Sequence, residues 1–282
     1  MQRILVPTDA SPLSEAAMPL AREVASAQQA EVFLVQIVSP PVWVAMDDSG
    51  YGSVSPDLYQ QFLDSMEEEA QRNLDRLADF FGAGREPGTV HTQLFQGSPA
   101  AALLDYEAEI QPDLVVMATH GRTGLARFAR GSVADRMVRE GTAPVLMVRS
   151  FGRQVTALKR ALVPLDGSEL AEAALPVVEE LACRPLNSIV LLTVIDAASA
   201  ESADAYLEKV GTRLERTGVA VERRRVDGVP GEAIAEAAKD VDLVIMATHG
   251  RGGLDRLRYG SVAEHTLRET EASLLLVRAG VR

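Results

Sequence analysis

Ten residues, Asp113-Leu-Val-Val-Met-Ala-Thr-His-Gly-Arg122, recur as Asp242-Leu-Val-Ile-Met-Ala-Thr-His-Gly-Arg251. Each copy then runs through nine residues after its loop glycine, Gly121 or Gly250, to a Gly-Ser pair, Gly131-Ser132 or Gly260-Ser261. An apolar run, a glycine-bounded loop and a Gly-Ser opening a helical pattern suit the holding of phosphate oxygens. Glycine lets backbone approach an anion closely, and the head of a helix offers unpaired N–H groups and the positive end of its dipole. Arg122 and Arg251 lie inside the loops, where they either meet phosphate or stay solvated. Arg136, Arg139 and Arg268 read as solvated helix-face charges. The plainer alternative is that Gly121, Gly124 and Gly131 only turn the chain around an empty crevice.

The elements that must position these loops are themselves duplicated. Ile4-Leu-Val-Pro-Thr-Asp9-Ala-Ser11 is answered by Ala161-Leu-Val-Pro-Leu-Asp166-Gly-Ser168, and Ala143-Pro-Val-Leu-Met-Val-Arg149 by Ala272-Ser-Leu-Leu-Leu-Val-Arg278. The 282 residues thus divide into domains at 1–150 and 157–282, with a linker near Ser150 to Thr156. In each half, short aliphatic runs alternate with longer amphipathic stretches, as in a parallel sheet covered by helices. Strands are expected near Arg3 to Pro7, Glu31 to Val38, Thr89 to Phe95, Asp113 to Ala118 and Pro144 to Val148. Helices are expected near Ser11 to Ser26, Leu58 to Phe81, Pro99 to Glu109 and Gly131 to Arg139. Five strands and four helices per half result. The first half carries extra residues between Pro40 and Gly88, and Trp43 to Pro56 reads as a lid at the crevice mouth or a spacer into the next helix.

Composition narrows the function. A formal net charge of −12 opposes general binding to nucleic acid or anionic membranes. Against it, Gly121 to Glu140 holds five arginines and two acids, and Gly250 to Glu269 four and three. No apolar stretch approaches the ~20 residues needed to span a bilayer, and the amino end does not resemble a signal peptide. Cys183 is the only cysteine, compatible with a reducing cytoplasm.

Catalytic patterns are weak. Only Lys159, Lys209 and Lys239 are lysines, no Gly-x4-Gly-Lys-Ser/Thr occurs, and no nucleophile–base pair is visible. His120 and His249 sit beside the phosphate-type loops, suited either to acid–base chemistry or to bonding their own loop. His91 and His265 form no metal-ligand spacing. Asp9 and Asp166 either orient a ribose hydroxyl or a magnesium-bound water, or cap the helix that follows. Ligands of open α/β sheets bind beyond the carboxyl ends of strands where the winding reverses. With strand order 3-2-1-4-5, that point lies between strands one and four, and brings Pro7-Thr8-Asp9 to the loop after Ala118.

With these motifs on view, the chain resembles the universal stress proteins in their tandem two-domain form. Their nucleotide-binding members show Gly-x2-Gly-x9-Gly-Ser/Thr after the fourth strand. Here Ala118-x2-Gly121-x9-Gly131-Ser132 and Ala247-x2-Gly250-x9-Gly260-Ser261 match except at the first glycine. An alanine methyl there is a small obstruction if φ is negative and costs more in left-handed backbone. The resemblance implies an α/β, adenine nucleotide alpha-hydrolase-like fold, with two tandem open parallel five-stranded sheets of order 3-2-1-4-5 flanked by helices and paired through their fifth strands as an intramolecular pseudo-dimer. It also implies ATP in each crevice, with magnesium as an optional companion. By position, Pro7, Thr8 and Asp9 would lie against the adenosine, with Val38 closing over the base. Met117, Ala118 and Gly121 would line the ribose and first phosphates, and Gly131, Ser132 and Val133 would present amides and a hydroxyl to the outer ones. The second site would use Pro164, Leu165, Asp166, Val194, Met246, Ala247, Gly250, Gly260, Ser261 and Val262.

The expected function is a cytoplasmic, ATP-binding stress or regulatory protein rather than an enzyme. A slow adenine-nucleotide hydrolase and a ligand-free dimerisation scaffold are the alternatives, and further pairing into a homodimer stays open.

Overall fold

A computed structural model describes residues 1–40, 56–119, 132–150, 155–195, 200–248 and 260–280. The first half runs β1 (Arg3–Thr8), α1 (Pro12–Glu15), α2 (Met18–Gln28), β2 (Glu31–Val38), α3 (Pro56–Gly82), β3 (Val90–Gln96), α4 (Pro99–Ile110), β4 (Leu114–Thr119), α5 (Ser132–Glu140) and β5 (Val145–Arg149). The second repeats it as β6 (Arg160–Pro164), α6 (Glu169–Glu172), α7 (Leu175–Cys183), β7 (Ser188–Ile195), α8 (Ala200–Glu215), β8 (Ala220–Asp227), α9 (Pro230–Ala237), β9 (Leu243–Thr248), α10 (Ser261–Glu269) and β10 (Ser273–Arg278). A short 3-10 turn, Ala238–Asp240, follows α9.

One expectation needs correcting in both halves. The segment expected as a single helix from Ser11 to Ser26 is two, α1 and α2, and α6 and α7 repeat the break. Pro19 and Pro176 cause it, because a proline has no N–H for the carbonyl four residues back and its ring collides with that carbonyl. Those carbonyls belong to Glu15 and Glu172, the last residues of α1 and α6.

Each half has the order 3-2-1-4-5, or 8-7-6-9-10, with all strands within it parallel, and the two halves are continuous. They form one ten-stranded sheet, β3-β2-β1-β4-β5-β10-β9-β6-β7-β8, joined by antiparallel β5 and β10. The join is self-complementary, since Leu146 faces Leu275, its own counterpart in the repeat, with Met147 and Val145 facing Leu274 and Leu276. The physical reason is that two apolar edge strands satisfy each other's open N–H and C=O groups. The arginines ending these strands cross the join reciprocally. Arg149 donates to the carbonyl of Leu267 in the last turn of α10, and Arg278 donates to the Gly141 carbonyl just past α5 at 2.9 Å. A cation at the carboxyl end of a helix also meets the negative end of its dipole. Burial holds the Arg149 guanidinium down to about 10.

Side chains alternate across the sheet and feed two apolar layers. Ile4, Val6 and Val116 pack under α2 and α3, with Leu20, Leu74 and Phe81, while Leu5, Val115 and Met117 pack under α4 and α5, with Leu103 and Met137. Both layers continue into the second half. The first residue of the repeated ten proves structural. Asp113 accepts the amides of Gln2 and Arg3 at 2.6 and 3.0 Å, and Asp242 those of Lys159 and Arg160 at 2.9 and 3.0 Å, tying the start of β4 or β9 to that of β1 or β6. No helix among the described residues is long and apolar enough to cross a membrane.

Candidate functional site

A cavity opens in each half beyond the carboxyl ends of β1 and β4, or of β6 and β9. The first encloses about 290 Å³ and the second about 210 Å³. Strand pairing positions them: β1 and β4 are hydrogen-bonded only near their beginnings, at Ile4 and Leu5, so their ends diverge and leave a crevice at the winding reversal. β6 and β9 behave alike, pairing at Ala161 and Leu162.

The first cavity is lined at the β1 corner by Pro7, Thr8 and Asp9, at the β4 end by Met117 and Ala118, and at the α5 head by Ser132, Val133 and Ala134. Ser11, Leu13, Ser14, Ile37, Pro99 and Leu103 complete it. The second is lined by Pro164, Leu165, Asp166, Val194, Met246, Ala247, Gly260, Ser261 and Val262, joined by Ser168, Leu170, Ala171, Leu192, Pro230, Ile234 and Ala263. Of the residues expected in the first site, Val38 is absent from the lining and Ile37 stands there instead. Parallel register explains the slip. Pro7 pairs with Val35 as Pro164 pairs with Leu192, so the counterpart of Val194 is Ile37, and the next residue points to the opposite face. Gly121, Arg122, Gly131, Gly250 and Arg251 lie outside the described residues, as do Gly124, His120, His249 and most of the segment from Trp43 to Pro56.

Helix heads converge on each cavity. Pro99 and Ser132 place the first turns of α4 and α5 on the first, and Pro230 and Ser261 those of α9 and α10 on the second. The opening amides of an α-helix have no intrahelical acceptor. At α10 the capping residue is Gly260, which has no side chain to serve them and adopts φ 80°, ψ 145°. Two of the elements lining each cavity therefore direct partial positive charge, or unpaired donors, into its opening. Ala118 and Ala247 lie inside β4 and β9, and neither is among the non-glycine residues with positive φ. Their methyls stand on ordinary extended backbone and line the cavities without strain.

The opposite wall is anionic. Asp9 Oδ1 accepts the Ser11 amide at 3.0 Å, and Asp166 Oδ1 accepts the amide and hydroxyl of Ser168 at 2.9 and 2.6 Å. The helix caps are the serines: Ser11 Oγ accepts the Ser14 amide and Ser168 Oγ that of Ala171, both at 3.1 Å. The aspartates brace those serines instead of capping directly. Burial pushes the Asp9 carboxyl up, but hydrogen bonds, chiefly from Ser11, outweigh it and hold the group below its ordinary range. Each cavity thus runs from a carboxylate that accepts hydrogen bonds to a helix head that donates them, over an apolar floor of Met117, Leu103 and Ile37 or Met246, Ile234 and Val194. Among the described residues no group of three or more His, Cys, Asp or Glu is placed to hold a metal ion.

Comparison with known proteins places this geometry in context. The family model described as the universal stress protein family matches residues 1–149 and again 157–278. A universal stress protein of Methanocaldococcus jannaschii is 31% identical over 148 residues, covering 52% of this chain and 82% of its own. One from Mycolicibacterium smegmatis is 27% identical over 291 residues, covering 98% of this chain and 96% of its own. The crystal structure of a universal stress protein from Archaeoglobus fulgidus superposes with a TM-score of 0.74 at 19% identity, covering 99% of this chain and 98% of that one, a likeness of fold.

Proposed function

Since the chain belongs to the universal stress protein family, we propose that it is a cytoplasmic, ATP-binding regulatory protein with one nucleotide site in each half. The observation that carries this reading is the polarity of the two cavities, with acceptor carboxylates at Asp9 and Asp166 and donor helix heads at Ser132 and Ser261. A carboxylate held ionised repels phosphate and accepts from hydroxyl or amino groups, so the nucleoside lies at the Asp9 end. The phosphates lie at the helix heads, where anions are favoured. Gly131 and Gly260 let backbone approach them, and Arg122 and Arg251 add charge. Any magnesium travels on the phosphates. Binding rather than turnover is proposed, because the groups lining the cavities supply recognition.

The two halves act as an intramolecular pseudo-dimer. Helices α5 and α10 each have one end at a cavity and the other held by an arginine of the opposite half, which gives nucleotide occupancy a route to the shared surface. Titration calorimetry of the purified chain with ATP tests the reading. Saturable binding is expected, weakened about 10- to 100-fold per site in Asp9→Ala and Asp166→Ala, the loss of one hydrogen bond to a charged group. No saturable uptake at millimolar ATP refutes it.

A further inference from the structure

The two cavities are lined by corresponding positions, and the differences in polarity between them cluster. Where the first has Thr8 and Ser14, the second has Leu165 and Ala171. All four line their cavities on the wall beside the aspartate. We propose that Thr8 and Ser14 make the first cavity selective for a ligand that presents an extra hydrogen-bond donor at this wall, a selectivity the second cavity lacks.

Hydrogen-bond inventory gives the sign. The Thr8 and Ser14 hydroxyls lie 3.1 Å apart, Ser14 Oγ donates to the Ser11 carbonyl at 3.0 Å, and Thr8 Oγ1 accepts the Ala10 amide at 3.1 Å. Ser14 spends its proton on Ser11, so Thr8 donates to Ser14. Both protons are then used within the protein, and what remains for a ligand is lone-pair capacity on the two oxygens. With the Asp9 carboxylate alongside, the corner reads donors. Thr8 is 6% exposed, so a ligand group lacking a proton there leaves the remaining lone pair of Thr8 unused and shut off from water. Leu165, 3% exposed, and Ala171 offer nothing to leave unsatisfied, so at this wall of the second cavity the polar groups are those of Asp166 and Ser168.

On the nucleotide reading, on which this proposal rests, the donors in question are a ribose hydroxyl or the purine amino group. The test uses two single-site proteins, Val262→Trp to plug the second cavity and Val133→Trp to plug the first. Binding of ATP is compared with 2′-deoxy-ATP, 3′-deoxy-ATP and the triphosphate of purine riboside, which lacks the amino group. At the first site at least one analogue is expected to bind about tenfold more weakly than ATP, relative to the second site. The penalty disappears in Thr8→Leu with Ser14→Ala, and appears at the second site in Leu165→Thr with Ala171→Ser. The second exchange keeps the proposal testable should the first disturb folding. Equal discrimination at both sites, or exchanges that leave it unmoved, overturns the proposal while leaving nucleotide binding intact. Failure of the unplugged chain to bind ATP overturns the nucleotide reading itself, and the proposal with it.

Discussion

Replacing Gly260 by alanine is expected to destabilise the chain by about 1–2 kcal/mol and to weaken the second site with it. Gly260 caps α10 at φ 80°, ψ 145°, a region that residues with a β-carbon rarely enter. Holding such a residue there costs about 1–3 kcal/mol. The unfolded chain also loses freedom when glycine becomes alanine, which offsets about 0.4–1 kcal/mol of that. The net figure corresponds to a fall of about 2–6 °C in the melting transition of a chain this size. Thermal and urea denaturation of the two proteins measure it. Gly82→Ala is the internal control: Gly82 ends α3 without positive φ, and an added methyl there meets nothing within 4 Å, so stability should rise by about 0.5 kcal/mol. If Gly260→Ala is as stable as the parent while Gly82→Ala behaves as described, the left-handed cap is not a constraint. The account of an uncapped, anion-ready helix head then loses its footing.

The duplication supplies a second test at the β1 corner, where Ala10 has φ 58° and its counterpart Gly167 φ 80°. Ala10→Gly should stabilise by about 0.5–1 kcal/mol and Gly167→Ala destabilise by a similar amount in urea titrations; equal signs would refute it. Glu107 is 2% exposed and accepts the amides of Thr142 and Ala143, both at 2.7 Å, so Glu107→Ala strands one buried and one part-buried donor. A loss of about 2–4 kcal/mol is expected by the same measurement. Glu23 gives a pH signature, since burial raises its carboxyl, assisted by the Asp242 charge and opposed by the Leu158 amide. A raised acid favours the folded state when protonated, so its stabilising contribution is complete below the unfolded value near 4.5 and is lost as pH rises through the folded one. The stability of the parent relative to Glu23→Gln should therefore increase as pH is lowered from 7 towards 4.5, and a flat difference would contradict the assignment.

The repeat, the order of elements and most of their bounds were legible in the sequence, because they follow from local patterns. Aliphatic runs at Ile4, Val32, Leu114 and Val145 can only be buried strands when helical stretches separate them, and an internal duplication doubles every such signal. The helix break was missed, although Pro19 and Pro176 carry its signal in the carbonyl they exclude. The aspartates, Met117, Ala118 and the Gly-Ser helix heads could be found because each sits inside a repeated motif. What sequence alone left undecided was everything set by neighbours distant along the chain. Whether Val38 or Ile37 meets the cavity depends on the register of β2 against β1, and alternation turns a shift of one residue into a change of face. The register of the join, with Leu146 meeting Leu275 across an axis, and the roles of Asp113, Glu107 and Arg149 depend on groups distant along the chain. Thr8 and Ser14 carry no motif, and become informative only when folding sets them side by side at the wall where the other half has Leu165 and Ala171. Periodicity reports which side of an element is apolar, whereas a site is made of chain ends, register and hydrogen-bond geometry that only tertiary packing brings together.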